Sequence, residues 1–195
     1  NGILKEFKDL WYNVSYHLLN TNDYWVPQDR KRVIIVWYNN KIWKTFNAPT
    51  IHNYKPVLKD AIWDLSFAIK ANDKNYANDE GKLSHINHEY MHWWFSSMYM
   101  SRNRVRWWEE PSFTIQAWWR HAPLHPQAPK MELVEKDKRK FVEWKEKLYR
   151  RLSVRECARI QTFPDDYKFI YKNITNWYKM IGNAVPSVFA KELAM

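Results

Sequence analysis

Apolar residues Ile3, Leu4, Phe7 and Leu10 recur at helical spacing, so residues 3–10 are expected to form a short amphipathic helix. Residues 14–19 read as a strand. A turn-rich stretch at 20–23 follows, then the basic segment Pro27-Gln28-Asp29-Arg30-Lys31-Arg32. Behind it, Val33-Ile34-Ile35-Val36 is the kind of β-branched run that a buried strand carries. Helix, strand, loop and strand in this order place the start of the chain in the α/β class. From about residue 39 to residue 129 the helical period fades. Prolines, histidines and aromatics separate short candidate strands at 96–100 and 112–116, which predicts a smaller, irregular strand-and-loop domain. Residues 132–149 return to a charged, helix-like pattern. Ser153 stands three residues before Glu156, the spacing of a capping box that opens a helix over 154–161. After a loop at Pro164-Asp165-Asp166, a last helix is expected over 184–194, with Pro186 in its first turn.

The 195 residues include Lys+Arg 31 against Asp+Glu 21, a formal net charge of +10. Such an excess favours a polyanionic partner, most often nucleic acid. A hydrophobic content of 46% excludes a disordered chain. No apolar run approaches the ~20 residues of a membrane span. A single cysteine excludes an internal disulfide framework and suits a reducing compartment, so a cytoplasmic protein is expected. The unusual counts are Gly 3 and Trp 13. Average usage would give a chain of this length about 14 glycines, and turns that need φ > 0 depend on them.

Four segments carry candidate chemistry. In the first, Arg30 and Arg32 would point the same way on an extended segment, and their guanidinium forks suit phosphate or base edges; a solvated basic loop is the plainer alternative. In the second, Arg102, Arg104 and Arg106 alternate ahead of Trp107-Trp108, with Gln116 and Arg120 nearby. Arginines in that pattern read guanine edges in the major groove, or protect an exposed strand edge. In the third, Arg155 and Arg159 share one face of the expected helix around Cys157. Cationic neighbours could lower the thiol pKa, but no histidine lies in the stretch to act as a base, and inert packing is the better reading. The fourth is Gly182-Asn183-Ala184, read as a turn feeding a helix N-terminus whose free N–H groups could receive an anion. His85, His88 and His92 have near-ligand spacing, yet no cysteine is close and no zinc pattern emerges; packed or surface histidines are expected, and no metal.

Together and in this order, the segments resemble the C-terminal portion of bacterial DNA (cytosine-5) methyltransferases. Pro-Gln-Asp-Arg-Lys-Arg-Val (27–33) resembles that family's Gln-x-Arg-x-Arg motif. Arg-Leu-Ser-Val-Arg-Glu-Cys-Ala-Arg-Ile-Gln-Thr-Phe-Pro-Asp (151–165) resembles its penultimate motif, and Tyr-Lys-Met-Ile-Gly-Asn-Ala-Val-Pro (178–186) its last. Met-Ser-Arg-Asn-Arg-Val-Arg (100–106) and Leu-His-Pro-Gln-Ala-Pro (124–129) are similar to the branch that modifies GGCC sites, the HaeIII type.

The resemblance implies the end of a Rossmann-like catalytic domain at 1–40, a target-recognition domain at 41–150, and a return to the catalytic domain at 151–195. It implies methyl transfer from S-adenosyl-L-methionine to C5 of a cytosine flipped out of duplex DNA, in a restriction–modification setting. Arg30 and Arg32 would then hold the flipped cytosine and its flanking phosphate. Arg102, Arg104, Arg106, Gln116 and Arg120 would contact the site, while Gln28, Arg155, Arg159 and Gln161 would brace the recognition domain. Gly182, Asn183 and Ala184 would border the cofactor.

The family's nucleophilic Pro-Cys loop, glycine-rich cofactor loop and Glu-Asn-Val segment have no counterpart here, since Cys157 belongs to another motif. The chain is therefore expected to be a fragment or one half of a split enzyme, inactive without an N-terminal catalytic half. A stand-alone, Trp-rich module that stacks single-stranded bases is the alternative.

The family generally has glycine where this chain has Trp25 and Trp177, and by the same comparison at Trp11, Trp37, Trp118 or Trp119, and Trp144. Trp63 and Trp108 read as ordinary tryptophans. UGA codons that the source reads as glycine would explain the pattern. Trp93–Trp94 and Trp118–Trp119 would then be flexible loops rather than stacking platforms.

Overall fold

The computed structural model describes residues 2–65, 67–92 and 94–195, leaving aside the side chains of Ile3 and Trp119. Trp93, one of the residues read above as part of a flexible loop, lies outside the described residues.

The architecture is mixed α/β. Helix α1 (Gly2–Asp9) runs into strand β1 (Tyr12–Asn20), which pairs antiparallel with β3 (Lys31–Asn39), Tyr12 opposite Asn39 and Asn20 opposite Lys31. The β-branched run does form a strand, but not a buried one: Val33 is 59% exposed and Ile35 38%. The reason is the register. Val14, Tyr16 and Leu18 stand opposite Trp37, Ile35 and Val33. These side chains form one apolar face of a two-stranded sheet, and that face is largely open. On the other face, Leu19 and Ile34 pack with Tyr24, Val26 and Phe189.

The middle of the chain is as irregular as expected. Short β2 (Gln28–Asp29) pairs parallel with β6 (Ser112–Phe113), α2 (Leu58–Ile62) follows the proline-containing loop, and β4 (Ile69–Lys70) pairs parallel with β5 (Glu89–Tyr90). The candidate strand at 112–116 shrinks to β6. The one at 96–100 is replaced by a turn and a 3-10 segment (Tyr99–Ser101), with Ser96 Oγ accepting from the Tyr99 N–H at 3.2 Å.

The helix-like pattern over 132–149 is also overturned. Strand β7 (Glu132–Glu135) turns through Asp137 (φ 57°) into β8 (Lys138–Lys140), and residues 146–148 make one 3-10 turn. Its charges pair across the hairpin, Glu132 with Lys140 at 3.4 Å and Glu135 with Lys138 at 2.8 Å. Opposite charges facing each other stabilise adjacent strands as they do successive helical turns, so charge spacing alone could not separate the two.

The C-terminal segment forms three helices. Ser153 caps α3 (Val154–Ile160) in the expected box, its Oγ accepting from Glu156 N at 3.1 Å while Glu156 Oε2 accepts from Ser153 N at 2.7 Å. Helix α4 (Ile174–Asn183) was not anticipated; Asn173 caps it, and Ile174, Trp177, Tyr178, Ile181 and Gly182 form its buried face. Helix α5 (Ser187–Ala194) starts three residues later than expected, with Pro186 as its N-cap rather than in its first turn. The main core gathers around α3 and α4 and includes Leu58, Met91, Ile115 and Leu152. A second cluster holds Tyr99, Val105, Leu124, Met131 and Tyr149. Among the described residues, no helix is long and apolar enough to cross a membrane.

Two of the tryptophans read as glycine positions do not occupy turns. Trp37 lies inside β3 and Trp177 inside α4, where the backbone asks for no glycine.

Candidate nucleic-acid interface

A buried hydrogen-bond lock positions the loops that could meet DNA. Gln28 Nε2 donates to Gln161 Oε1 at 3.2 Å, and Gln28 Oε1 accepts from the Ile115 N–H at 3.1 Å. Gln161 Nε2 donates to the Ile181 carbonyl at 2.8 Å. Arg30 completes the arrangement by donating through Nη1 to the Ile115 carbonyl and through Nη2 to the Gly182 carbonyl, both at 3.0 Å. Four segments distant in sequence meet here: 28–30, 115–116, 161 and 181–182. Buried polar groups that are fully paired favour one arrangement of their surroundings over others.

Arg30 and Arg32 therefore do not point the same way. Arg30 is 7% exposed, whereas Arg32 is open and donates to the Lys31 carbonyl at 2.7 Å. Burial, then the neighbouring Arg32, lowers the Arg30 pKa to about 10, which leaves it charged at neutral pH.

Beyond the lock lies a cleft of about 220 Å³, lined by Asp29, Arg102, Arg104, Gln116 and His121 among others. Arg104 is held over the Tyr99 ring at 4.8 Å and donates through Nε to the Tyr99 carbonyl at 3.0 Å. Gln116 Oε1 is taken by His121 Nδ1 at 2.9 Å, which leaves the amide nitrogen as the free end. The Asp29 carboxylate is committed to Asn20 and Arg106, each at 3.2 Å. What remains available from Arg102, Arg104 and Gln116 is a set of donors under positive charge. His121 stays largely neutral beside them: burial, then Arg104 and Arg102, lowers its pKa.

His121 carried no signal of its own in the sequence. It enters the cleft because a 3-10 turn (Trp119–His121) folds it back onto Gln116.

Arg106, grouped by period with Arg102 and Arg104, is bound elsewhere. It bridges Asp29 and Glu110 and lies over the Phe113 ring at 4.3 Å, so it ties β2 to the loop after Val105. Arg120 is exposed, with its guanidinium 5.7 Å from the Trp118 ring centroid. Arg155 is buried and donates to the carbonyls of Ile86, Pro164 and Tyr167 at 2.7 to 3.0 Å. Arg159 reaches Asp165 at 2.8 Å and Asp64 at 2.5 Å. These two side chains thus tie α3 to the middle of the chain from one helix face.

Cys157 is fully buried, and burial pushes its thiol well above the ordinary value, so it is no thiolate nucleophile. His88 is buried against Ser153 Oγ at 2.9 Å, and the rings of His85 and His88 meet edge to face. Among the described residues no group of three potential metal ligands forms.

Gly182 and Asn183 are not a turn entering a helix but the last residues of α4, so the expected set of free N–H groups is not there. Gly182 is sealed: a Cβ on it would stand 2.3 Å from Ala117 N and Gln116 C. That surface has no room for a ligand. Asn183 is exposed.

The fold is that of methyltransferases. A DNA modification methyltransferase encoded within an Escherichia coli prophage superposes with a TM-score of 0.61 at 17% identity, over 99% of this chain and 63% of that one. The Entamoeba histolytica methyltransferase EhMeth gives 0.59 at 12% identity, over 99% and 55%. Within that class the sequence is more specific. The C-5 cytosine-specific DNA methylase family matches residues 1–195, and the chain belongs to that family. It is 56% identical over 192 residues to the type II methyltransferase M.MthTI of Methanothermobacter thermautotrophicus, which covers 98% of this chain and 58% of the relative. To M.FnuDI of Fusobacterium nucleatum it is 50% identical, over 94% of this chain and 54% of the relative. The chain thus spans a little over half the length of these relatives.

Proposed function

We propose that this chain is the DNA-reading and C-terminal part of a restriction–modification methyltransferase that methylates C5 of a cytosine in duplex DNA, at a GGCC-like site. The observation that carries the reading is the donor-lined cleft beside the Gln28–Gln161 lock. In the major groove guanine presents two acceptors, N7 and O6. Arg102, Arg104 and the Gln116 amide nitrogen offer only donors, so a guanine-rich edge is their natural complement. Residues 41–150 act as the recognition domain, and Arg155, Arg159 and Gln161 hold it against 151–195. Exposed Arg32 and Arg120 serve the backbone phosphates. Arg30 acts indirectly, fixing the loop that faces the flipped cytosine.

S-adenosyl-L-methionine, when bound, supplies the methyl group. Asn183 borders it in this reading, with the rest of its pocket and the nucleophilic cysteine coming from an N-terminal catalytic portion. Support for that portion comes from the β1–β3 face. Tyr16, Leu18, Val33, Ile35 and Trp37 are all exposed on one side of a two-stranded sheet. An isolated hairpin is marginal in water, and a contiguous apolar patch calls for cover. We assign this face to the missing portion of the catalytic domain.

Binding of a GGCC duplex and a scrambled duplex of equal length tests the reading. Gln116→Ala and Arg102→Ala are expected to weaken GGCC binding by roughly 10-fold while barely changing the scrambled duplex. Arg32→Ala should weaken both alike and lower the salt slope by about one. Equal losses on both duplexes for Gln116→Ala and Arg102→Ala would remove the cleft from recognition.

A further inference from the structure

The backbone sets four tryptophans apart, three of them at positions where the family resemblance expects glycine. Trp11 (φ 64°), Trp25 (φ 60°), Trp43 (φ 55°) and Trp144 (φ 63°) all occupy the left-handed region. A bulky residue there is a genuine outlier, and glycine is the residue that enters it without strain. None of the three glycines has positive φ. Of the other five positive-φ residues, Asn75, Asn87 and Asp137 are types that tolerate the region, which leaves Lys74 and Thr162.

Position and environment agree with the dihedrals. Trp25 and Trp43 close 3-10 segments at their C-caps, and Trp11 follows α1 with its N–H donating to the Lys8 carbonyl at 3.0 Å. Helix ends of this kind are where glycine is enriched. None of the four indoles is buried: exposures are 74% for Trp11, 43% for Trp25, and 94% for both Trp43 and Trp144. Trp63 and Trp108 differ in the backbone, although Trp63 is itself 61% exposed. Their φ values are ordinary, and their rings pack edge to face at 4.9 Å beside the main core.

We infer that positions 11, 25, 43 and 144 are glycine in the protein as its source makes it, and that each tryptophan is a UGA codon read in the wrong code. Trp43 joins the group on its backbone alone. Glycine at positions 11 and 43 would also open one of the surface clefts. The cleft of about 870 Å³ lined by Trp11, Asn13, Asn40, Lys41, Trp43 and Lys44 is walled by two of the indoles, and it is no ligand site of the native protein.

Two measurements test this. The coding DNA should carry TGA, the UGA codon of the transcript, at all four positions, with TGG at Trp63 and Trp108. In thermal unfolding of the 195-residue chain, Trp11→Gly, Trp43→Gly and Trp144→Gly should each raise the midpoint by roughly 2–4 °C, by relief of left-handed strain. Trp63→Gly should lower it. TGG codons at the four positions, or midpoints unchanged or lowered by the three glycine substitutions, overturn the inference.

Discussion

Gly182→Ala should lower the unfolding midpoint of the chain by roughly 10 °C, corresponding to about 3 kcal/mol or more of overpacking. The Cβ would meet backbone rather than a yielding side chain: Ala117 N at 2.3 Å and Gln116 O at 2.5 Å. Either α4 or the 116–117 loop must move. Because the Gly182 carbonyl also accepts from Arg30, movement of α4 would break the lock, and movement of the loop would displace Gln116 from the cleft. Gly81→Ala is the matching control, since nothing lies within 4 Å of its added Cβ. Equal midpoints for the two variants would mean that the close approach at Gly182 does not exist. The same substitution should also weaken discrimination between GGCC and scrambled duplexes.

The second large effect centres on Glu156. Its carboxylate accepts from Arg150 at 2.7 and 2.8 Å and from the Ser153 N–H at 2.7 Å, with His125 Nε2 at 3.5 Å. Glu156→Ala leaves the largely buried Arg150 side chain without its carboxylate partner and removes half of the capping box, which should cost about 3 kcal/mol in urea unfolding.

The same cluster makes stability depend on pH. Burial alone would raise the Glu156 carboxyl, but the Arg150 guanidinium outweighs it and holds the group at about 2. Burial lowers His125 to about 4 despite Glu156 beside it. Both groups bind protons more readily in the unfolded chain. Stability should therefore fall as pH drops from about 6.5 to 4 through His125, and again from about 4.5 to 2 through Glu156. His125→Asn should flatten the upper part of that profile in urea titrations. A wild-type profile already flat between pH 6.5 and 4 would refute the assignment.

What the sequence revealed was chiefly local. The Ser153–Glu156 box was readable because the cap and its partner lie three residues apart. Helix α4 has a helical period, Ile174, Trp177, Tyr178 and Ile181 behind the Asn173 cap, and it is hidden in the sequence because Gly182-Asn183 also fits a turn. Residues 132–140 were misread because opposite charges satisfy a hairpin as readily as a helix, and the decisive left-handed Asp137 is a backbone property.

The same division runs through the site. Arg102, Arg104 and Gln116 were legible as residue types that suit base edges. The burial of Arg30, the diversion of Arg106 to Asp29 and Glu110, and the entry of His121 all depend on contacts between segments far apart in the chain or on a local fold-back.

In the proposed function, this chain supplies DNA reading and completes a catalytic domain together with a further portion. The most direct test mixes the 195-residue chain with the portion of M.MthTI that it does not match, then follows labelled methyl transfer from S-adenosyl-L-methionine to cytosine C5 in a GGCC duplex. No transfer is expected from either part alone and transfer from the mixture, lost again when a charged residue replaces Leu18 or Ile35 on the open β1–β3 face. Transfer by this chain alone, or none from a mixture of two folded parts that bind the duplex, would contradict it.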